Sequence, residues 1–493
     1  MGDYARPRRA AVGELFTSLY IGGEWRVGRT GQAFPDIDPA TGEKITDVSA
    51  GDADDIDAAV TAARAQLNGE WRTVPGTERS RLLHRLADLI DRDAAQFAAL
   101  EAWDIGRPVQ QPAILDLPHT AATYRYFAGW ADKISGQAIP TAGYFGRPTH
   151  SYTRREPIGV IGAIIPWNTP LMITGWKLAP ALAAGNTVVI KPPEDAPLSV
   201  LHLASLIDEA GFPPGVVNVV PGLGETAGHA LASHPDVDKI TFTGSPEVGK
   251  TIQRTIADTF KRCVLELGGK SPQIVLEDAD IEAAVRGVAQ GLFFNQGEVC
   301  AAGSRIFVHR SRYHDLLDGL AEAAAAQKLG DPFDPATTMG PLINARQRET
   351  VLGYIEKGLG EGARIVAGGG GHDGPGYFVP PTIFADATND MTIAREEIFG
   401  PVGTVIPFDT LDDAVAMAND TVYGLAATVW TNDVSIAHTV AADLRVGAVA
   451  INGWSPLDPA LPWGGVKTSG IGRELGWSGI EANTEEKTVT VVL

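Results

Sequence analysis

The chain has 493 residues, of which 44% are hydrophobic and 20% are charged, so two or three globular domains are expected. The formal net charge of -20 argues against nucleic acid and anionic membrane surfaces as partners, and no apolar run is long enough to span a bilayer. Two cysteines, Cys263 and Cys300, cannot form a disulfide framework, so a reducing cytoplasm is expected.

The first 135 residues predict an arm followed by helices. The basic run Arg6-Pro7-Arg8-Arg9 is not followed by an apolar segment, which favours a loose arm over residues 1 to about 17 and not a targeting peptide. Helices are predicted over Asp54–Leu67 and after Thr77, which is a suitable cap for a helix carrying an apolar face.

Two segments are strand-like and lie outside the main α/β pattern. These are Gln137–Arg155, rich in Gly, Pro and Thr, and the tail Lys487–Leu493. We expect them to form a small β arm that pairs with another subunit.

From residue 158 to 266, short apolar runs alternate with helical segments, which predicts a parallel sheet covered on both faces. The expected strands are Ile158–Ile165, Thr187–Ile190, Val216–Val220, Lys239–Phe242 and Cys263–Leu265, and the expected helices are Thr174–Ala184, Pro197–Ala210, Glu225–Ala232 and Pro246–Thr259. Polar residues and glycines follow each strand, at the edge where such sheets bind ligands. A dinucleotide site is therefore expected there.

A second α/β region begins near residue 270. We predict helices at 280–294, 312–327, 344–359, 411–419 and 433–443, and strands at 272–276, 304–308, 402–407, 425–430 and 446–451. Cys300 falls in a loop of small residues between the first of these helices, capped by Asp280, and the strand that begins near Arg305. This setting suits a reactive thiol, whereas Cys263 has a buried-strand pattern.

Several polar groups at the strand ends could do chemistry, and each also has an ordinary structural interpretation. Ser245-Pro246 starts a helix whose N-terminus suits a phosphate, and it is equally an ordinary cap. Glu194 beside Lys191 could hold a ribose and repel a 2′-phosphate, which favours NAD over NADP, or could form a surface ion pair. Gly222, Gly224 and Gly228 do not complete the dinucleotide fingerprint.

Three residues could together support catalysis by a thiol. Asn168 could donate to an oxyanion and Glu266 could act as a general base. Taken alone, Asn168 is equally a turn residue and Glu266 equally a charge that faces water. No metal-binding motif, nucleophile elbow or P-loop is present.

The chain resembles the NAD(P)-dependent aldehyde dehydrogenase superfamily from about residue 18 to its end. The matching segments are Pro166-Trp167-Asn168, Lys191-Pro192-Pro193-Glu194, Phe242-Thr243-Gly244-Ser245, Glu266-Leu267-Gly268-Gly269-Lys270, the Cys300 loop, Glu397-Ile398-Phe399-Gly400-Pro401, Pro462-Trp463-Gly464-Gly465 and Gly472-Arg473-Glu474. One departure is Pro193, where the family often has a small polar residue.

The resemblance implies a role for each matched residue. Cys300 would be the nucleophile and Glu266 the base, Asn168 and the Cys300 N–H would form the oxyanion hole, and Glu474 would belong to a proton relay behind Glu266. The implied cofactor residues, for NAD with NADP as the alternative, are Ile165, Pro166, Trp167, Lys191, Glu194, Gly224, Phe242, Gly244, Ser245, Val248, Gly249, Leu267, Glu397 and Phe399. The implied substrate-pocket residues are Met172, Trp176, Phe294, Glu298, Val299, Ala301 and Trp454.

The resemblance also implies an α/β fold with three parts. These are a Rossmann-like parallel-sheet NAD-binding domain (18–136 and 156–265), a second α/β catalytic domain (266–475) and a small β oligomerisation arm (137–155 and 480–493) that makes a homodimer or homotetramer. The implied reaction oxidises a small-molecule aldehyde to a carboxylic acid through a thiohemiacetal and a thioester on Cys300, which is hydrolysed with Glu266 as base.

Two other functions remain open at this point. A CoA-acylating semialdehyde dehydrogenase would pass the acyl group to CoA, although that branch typically lacks the base at Glu266. A non-catalytic scaffold would have no need of Cys300, Asn168 and Glu266 together. The aromatic pocket residues favour an apolar or aromatic aldehyde, whereas Glu298 would favour a cationic one.

Overall fold

The computed structural model describes residues 10–372 and 374–493, so the basic run Arg6–Arg9 lies outside the described residues. The expectation of a loose arm is wrong for the part that is described. Val12 is fully buried and its carbonyl accepts a hydrogen bond from Gln96 Nε2 at 2.7 Å. Phe16 stacks on Trp25 with ring centroids 4.8 Å apart, because apolar side chains in this segment find partners on the first domain.

The described chain is built from strands and helices that alternate over most of its length. In chain order the strands are β1 Leu19–Ile21, β2 Glu24–Arg26, β3 Ala33–Ile37, β4 Lys44–Ser49, β5 Ala138–Ile139, β6 Thr149–Pro157, β7 Val160–Ile164, β8 Thr187–Lys191, β9 Val217–Val219, β10 Lys239–Thr243, β11 Arg262–Glu266, β12 Pro272–Val275, β13 Arg305–His309, β14 Arg364–Ala367, β15 Thr382–Ala385, β16 Val402–Phe408, β17 Ala426–Trp430, β18 Ala448–Ile451, β19 Gly470–Ile471 and β20 Thr484–Val492.

The α-helices cover both faces of the two large sheets. In chain order they are α1 Ala53–Asn68, α2 Gly76–Arg92, α3 Ala94–Asp104, α4 Leu117–Ala128, α5 Pro170–Ala183, α6 Leu198–Ala210, α7 His229–Ser233, α8 Pro246–Ile256, α9 Ile281–Phe293, α10 Tyr313–Ala325, α11 Ala345–Gly360, α12 Thr392–Arg395, α13 Leu411–Asn419, α14 Val434–Asp443 and α15 Gly476–Glu481.

The first large sheet has eight strands in the order β19-β11-β10-β7-β8-β9-β1-β2. Its five central strands are parallel, and every residue of β7, β8 and β10 is buried, as the continuous apolar runs predict. The carboxyl ends of these strands therefore meet at one edge of the sheet, where Asn168, Glu194, Ser245 and Glu266 follow them.

The second large sheet has seven strands in the order β14-β15-β16-β13-β12-β17-β18, all parallel except β14. After this sheet, β19 returns to the first sheet and pairs antiparallel with β11. Gly470 allows this approach, because a Cβ there would lie 2.0 Å from the Leu265 carbonyl oxygen.

The two strand-like segments outside this pattern pair with each other. They form a three-stranded sheet in the order β20-β6-β5, with β20 antiparallel to β6 along its whole length. Pairing with another subunit stays a prediction.

Three helix starts differ from the expected ones. Thr77 is not a cap, because α2 begins at Gly76, which packs so tightly on Ala131 that a Cβ would lie 2.3 Å from its carbonyl oxygen. Helix α5 begins at Pro170, four residues early, because the buried Glu101 carboxylate accepts a hydrogen bond from Leu171 N at 3.2 Å. The expected helix 225–232 is a π-helical turn, Gly224–Gly228, followed by α7.

Among the described residues, no helix combines the length and the apolar character that crossing a membrane requires.

Candidate active site

The loop that carries Cys300 begins where helix α9 ends. Asp280 caps this helix by accepting a hydrogen bond from Ala283 N at 3.1 Å, as predicted. The helix ends at Phe293, and Asn295 and Gln296 then adopt left-handed backbone angles, with φ of 48° and 55°. The chain thus turns sharply and leads through Cys300 to the start of β13 at Arg305.

Glycines bring this loop against the end of β11. A Cβ on Gly269 would lie 2.5 Å from the Cys300 carbonyl oxygen, and a Cβ on Gly268 would lie 1.9 Å from Glu397 Oε2. Only glycine permits both approaches. The pair therefore explains why two glycines follow Glu266, and it places Cys300, Glu397 and Glu266 around one space.

The Cys300 thiol is in an environment that disfavours its ionisation. Burial raises its pKa to about 12, and the negative charges of Glu397 and Glu266 act in the same direction. The backbone N–H groups of Ala301 and Cys300 lower it only in part. In the free protein the sulfur is therefore a protonated thiol at neutral pH.

We accordingly expect the alkylation rate of Cys300 in the free protein to rise about tenfold per pH unit up to at least about pH 10, because only the thiolate reacts. The measurement is the rate of iodoacetamide labelling of the Cys300 peptide, in a Cys263→Ser background. A rate that levels off near neutral pH would contradict the raised pKa.

Asn168 is buried and is hydrogen-bonded to the loop that carries Cys300. It is 7% exposed, and its Nδ2 donates to the Glu298 carbonyl oxygen at 2.9 Å. An amide nitrogen has two hydrogens, so this bond orients the side chain and leaves one N–H for another acceptor. The Glu298 carbonyl that accepts this bond lies two residues before Cys300. This position supports the expectation that Asn168 and the Cys300 N–H act as a pair of donors.

Glu266 ends β11 and is 4% exposed, so the alternative of a charge that faces water is wrong. Neither carboxylate oxygen has a hydrogen-bond partner in the described structure. Burial raises its pKa well above the usual range, and the nearby Glu474 raises it further. A buried, unpartnered carboxylate with a raised pKa is suited to accept a proton near neutral pH.

Near Glu266, Glu474 forms a hydrogen-bonded group with Lys177 and Thr241, of which the sequence analysis identified only Glu474. Glu474 accepts hydrogen bonds from Lys177 Nζ at 2.6 Å and from Thr241 Oγ1 at 3.0 Å, while its Oε2 is buried without a partner. Lys177 was missed, although a lysine in the otherwise buried helix α5 is a recognisable signal. This arrangement fits a proton path, which stays a prediction.

The residues expected at the adenosine end of the cofactor site lie at the edge of the first sheet. Lys191 Nζ is bonded to Glu194, whose Oε1 accepts from Gly224 N at 3.3 Å. Although burial opposes it, the Lys191 charge keeps the pKa of Glu194 below its usual value. Leu223 and Val248 are 45% and 46% exposed, so apolar surface is open on both flanks, as a flat heterocycle requires.

Helix α8 begins after β10, at the same edge of the sheet. Its cap, Ser245, accepts from Val248 N at 3.3 Å, so the helix N-terminus is formed as predicted. Gly244 lies against the Phe242 ring, where a Cβ would be 2.4 Å from the ring, and Gly249 lets the helix pack on the buried Leu267. The glycines thus allow close approach of backbone to whatever binds here.

The expected nicotinamide end lies nearer Cys300. Glu397 Oε1 accepts from Gly269 N at 3.0 Å, and burial raises its pKa to about 7. Phe399, at a left-handed φ of 56°, meets the Trp167 ring edge-to-face at 5.3 Å. In the segment before Trp167, Ile165 N donates a hydrogen bond to the Lys191 carbonyl at 3.1 Å. This bond fixes the segment, in which Pro166 connects Ile165 to Trp167. The donor set and open surface fit a dinucleotide.

Most of the expected pocket residues are apolar. Met172, Trp176 and Ala301 belong to the large apolar core of the first domain, against which Val299 packs. Trp463, which the sequence analysis did not assign to the pocket, lies 6.0 Å from the Trp176 ring and lines a cavity together with Ala301 and Trp454. Trp454 Nε1 donates to the Ala301 carbonyl at 3.2 Å and its ring lies 6.0 Å from that of Phe294, so these two residues also brace the nucleophile loop.

The expectation that Glu298 favours a cationic substrate is wrong. Its side chain is fully buried, and its Oε1 accepts from Ile343 N at 3.0 Å. Burial raises its pKa well above the usual range. The carboxyl group thus holds the loop in place through a buried hydrogen bond and presents no charge to the pocket.

The described residues contain no cluster of three or more His, Cys, Asp or Glu that could hold a metal ion.

Known proteins share this family and this fold. The sequence model of the aldehyde dehydrogenase family matches residues 25–489. The chain is 49% identical to Retinal dehydrogenase 2 of Homo sapiens over 480 residues, 97% of this chain and 92% of that protein. The solved NAD+ complex of aldehyde dehydrogenase from Bacillus cereus is 47% identical, covers 98% of both chains and has a TM-score of 0.96.

A third similarity extends to another bacterium. The P. syringae AldA indole-3-acetaldehyde dehydrogenase, solved as a C302A mutant with NAD+ and IAA, is 41% identical over 99% of both chains, with a TM-score of 0.96. Fold, site and relatives together define an oxidoreductase that acts on aldehydes with NAD. The chain belongs to the aldehyde dehydrogenase family.

Proposed function

We propose that this chain oxidises an apolar aldehyde to the carboxylic acid, with Cys300 as nucleophile and water as the final acyl acceptor. The observation that carries the proposal is the buried Glu266 carboxylate, whose oxygens have no partner and whose charge acts on the Cys300 thiol. Such a group is costly to bury without a function, because an unpaired charge in a protein interior is destabilising.

The chain's own residues account for each proton and bond at the substrate. Cys300 releases its thiol proton to water, Sγ attacks the aldehyde carbon, and the resulting oxyanion accepts hydrogen bonds from Asn168 Nδ2 and the Cys300 N–H. NAD, when bound, accepts the hydride that leaves this carbon. Glu266 then takes a proton from water, and the hydroxide attacks the thioester carbonyl, which releases the acid and returns the thiol.

The residues assigned to hold NAD fall into two groups. Glu194 and Lys191 would hold the adenosine ribose beside Gly224, and the start of α8 after Ser245 would receive the pyrophosphate. Glu397 would bind the second ribose, and Phe399 would pack beside the nicotinamide. Since Glu194 carries a negative charge where the 2′-phosphate of NADP would lie, NAD is the preferred cofactor.

Glu194→Ser is expected to lower the KM for NADP by about tenfold or more, because like charges in contact cost several kcal/mol. The KM for NAD should rise, since a ribose acceptor is lost. The matched control is Glu225→Ser, which removes an exposed carboxylate from the neighbouring turn. An equal effect of both variants would show that only the net charge matters.

The CoA-acylating alternative is separated from hydrolysis by one assay. NADH production is measured with purified protein and a panel of short, long, aromatic and amino aldehydes, with and without CoA. We expect turnover without CoA and free acid as product. Turnover that requires CoA, with an acyl-CoA product, would overturn the hydrolytic proposal.

The same panel tests the substrate class. The cavity lined by Ala301, Trp454 and Trp463 and the burial of the Glu298 carboxyl support an apolar aldehyde. Relatives whose names specify retinal and indole-3-acetaldehyde agree with this class. We expect aromatic and long-chain aldehydes to have the highest kcat/KM, and amino aldehydes the lowest.

We further propose that the protein is a cytoplasmic homodimer or homotetramer. Ile139 and Val491 in the three-stranded sheet, and Phe145 and Leu493 next to its strands in the chain, expose apolar side chains, which a second copy could cover. Two unpaired cysteines support a reducing compartment.

A further inference from the structure

Asn295, five residues before Cys300, has a backbone conformation that side chains rarely adopt. It forms the first of three consecutive left-handed residues, followed by Gln296 and Gly297, with φ of 48°, 55° and 75°. Such angles are unfavourable for residues other than glycine, and asparagine tolerates them best. Its N–H donates to Gln111 Oε1 at 3.1 Å and its carbonyl accepts from Glu298 N at 2.8 Å, so neighbours hold the conformation at both ends.

This conformation aims the Asn295 amide between two carbonyl groups. Its Nδ2 donates to the Asn168 carbonyl at 3.0 Å and to the Glu298 carbonyl at 3.2 Å. Both hydrogens of the amide nitrogen are therefore used. The side chain is fully buried, so water does not compete for these bonds.

The two carbonyls belong to the two halves of the oxyanion hole. Asn168 follows β7 of the first sheet, whereas Glu298 precedes Cys300 on the loop that leads into the second sheet. The Glu298 carbonyl also accepts from Asn168 Nδ2 at 2.9 Å. Asn295 thus joins Asn168 to the Cys300 loop through buried hydrogen bonds.

We propose that Asn295 is a positioning residue that holds the Asn168 amide and the Cys300 N–H at the separation an oxyanion requires. The inference rests on the proposed function, because it assumes that these two donors act together. Donors of this kind act through fixed geometry, so a small displacement lowers the rate of the chemical step more than it weakens substrate binding.

Asn295→Asp is the sharpest test, because it keeps the size of the side chain and its tolerance of the left-handed backbone. The carboxylate of this variant cannot donate a hydrogen bond, and one of its oxygens would face the carbonyl oxygens of Asn168 and Glu298. We expect kcat to fall by about tenfold to a hundredfold at neutral pH while KM changes little. At lower pH a protonated carboxyl donates one hydrogen bond, so the deficit relative to the wild type should shrink.

The matched control is Gln296→Gly. Gln296 is also buried and left-handed, but its amide contacts only Asn295 Oδ1, at 3.5 Å, and neither Asn168 nor Glu298. Asn295→Gly keeps the backbone and removes the amide, and it decides the question if the aspartate variant does not fold. Circular dichroism and the melting temperature establish folding for each variant.

The expected result is a fall in kcat for both Asn295 variants and a kcat near the wild-type value for Gln296→Gly. A wild-type kcat in a folded Asn295 variant, an equal loss in the control, or a deficit that does not change with pH would overturn the proposal. If Cys300→Ala still turns over, the proposed function itself has failed. If it does not, and the Asn295 variants are normal, only the positioning role has failed.

Discussion

Cys300→Ala is expected to lower kcat for aldehyde oxidation by on the order of 10⁴-fold or more, because the methyl side chain cannot form the covalent adduct that the proposed reaction requires. The loss should leave cofactor binding in place, since Glu194, Ser245 and Glu397 are untouched. NADH absorbance measures the first quantity, and titration calorimetry with NAD measures the second.

The chain supplies its own control for this variant. Cys263 lies in β11 of the first sheet, and its side chain packs against a different apolar cluster from the one that Cys300 contacts. Cys263→Ala makes the same chemical change, the loss of a thiol, and should keep the wild-type kcat. Substantial turnover in Cys300→Ala, or equal loss in both variants, would exclude Cys300 as the nucleophile.

Glu266→Gln is expected to have the second largest effect. The amide is nearly isosteric but cannot take a proton from water, so steady-state turnover should fall by about 10²- to 10⁴-fold. Formation of the thioester does not need this base. We therefore expect rapid-mixing experiments to show a burst of NADH close to one per active site, followed by a very slow phase.

The pH dependence has a definite direction. Burial and Glu474 raise the pKa of Glu266, so the carboxyl is protonated and inactive as a base at low pH. The hydrolytic rate of the wild type should rise with pH until this group is ionised, and Glu266→Gln should lack that rise. The absence of a burst, or an unchanged pH profile in the variant, would contradict the assignment of Glu266.

The sequence was sufficient to predict the strands that position the site. Continuous apolar runs such as Lys239–Phe242 have only one favourable place, the middle of a covered parallel sheet, and β10 occupies it. Local chemistry was equally decisive at Asp280, because an N-cap needs only the residues of its own first turn. The carboxyl ends of the parallel strands then necessarily share one edge.

Features that depend on contacts between distant segments were not predictable in this way. The direction of the Glu298 side chain is set by Ile343 N, 45 residues away in the chain. The return of β19 to the first sheet depends on backbone contact at Gly470, and the start of α2 on contact with Ala131. Composition and periodicity carry no signal for such pairings, because they describe one segment at a time.

The proposed bounds of the domains and the proposed roles of individual site residues stay predictions. The Lys177, Glu474 and Thr241 group illustrates the difference. Its geometry fits a path for protons behind Glu266, but only variants of these residues report whether a proton uses it.

The most direct test of the account is to trap its covalent intermediate. Glu266→Gln is mixed with NAD and an aromatic aldehyde, quenched in acid, digested and analysed by mass spectrometry. We predict that the peptide containing Cys300 gains the mass of the acyl group in place of one hydrogen, and that Cys300→Ala gains none. An NADH burst without this adduct, or an acyl group on any other residue, would contradict the mechanism.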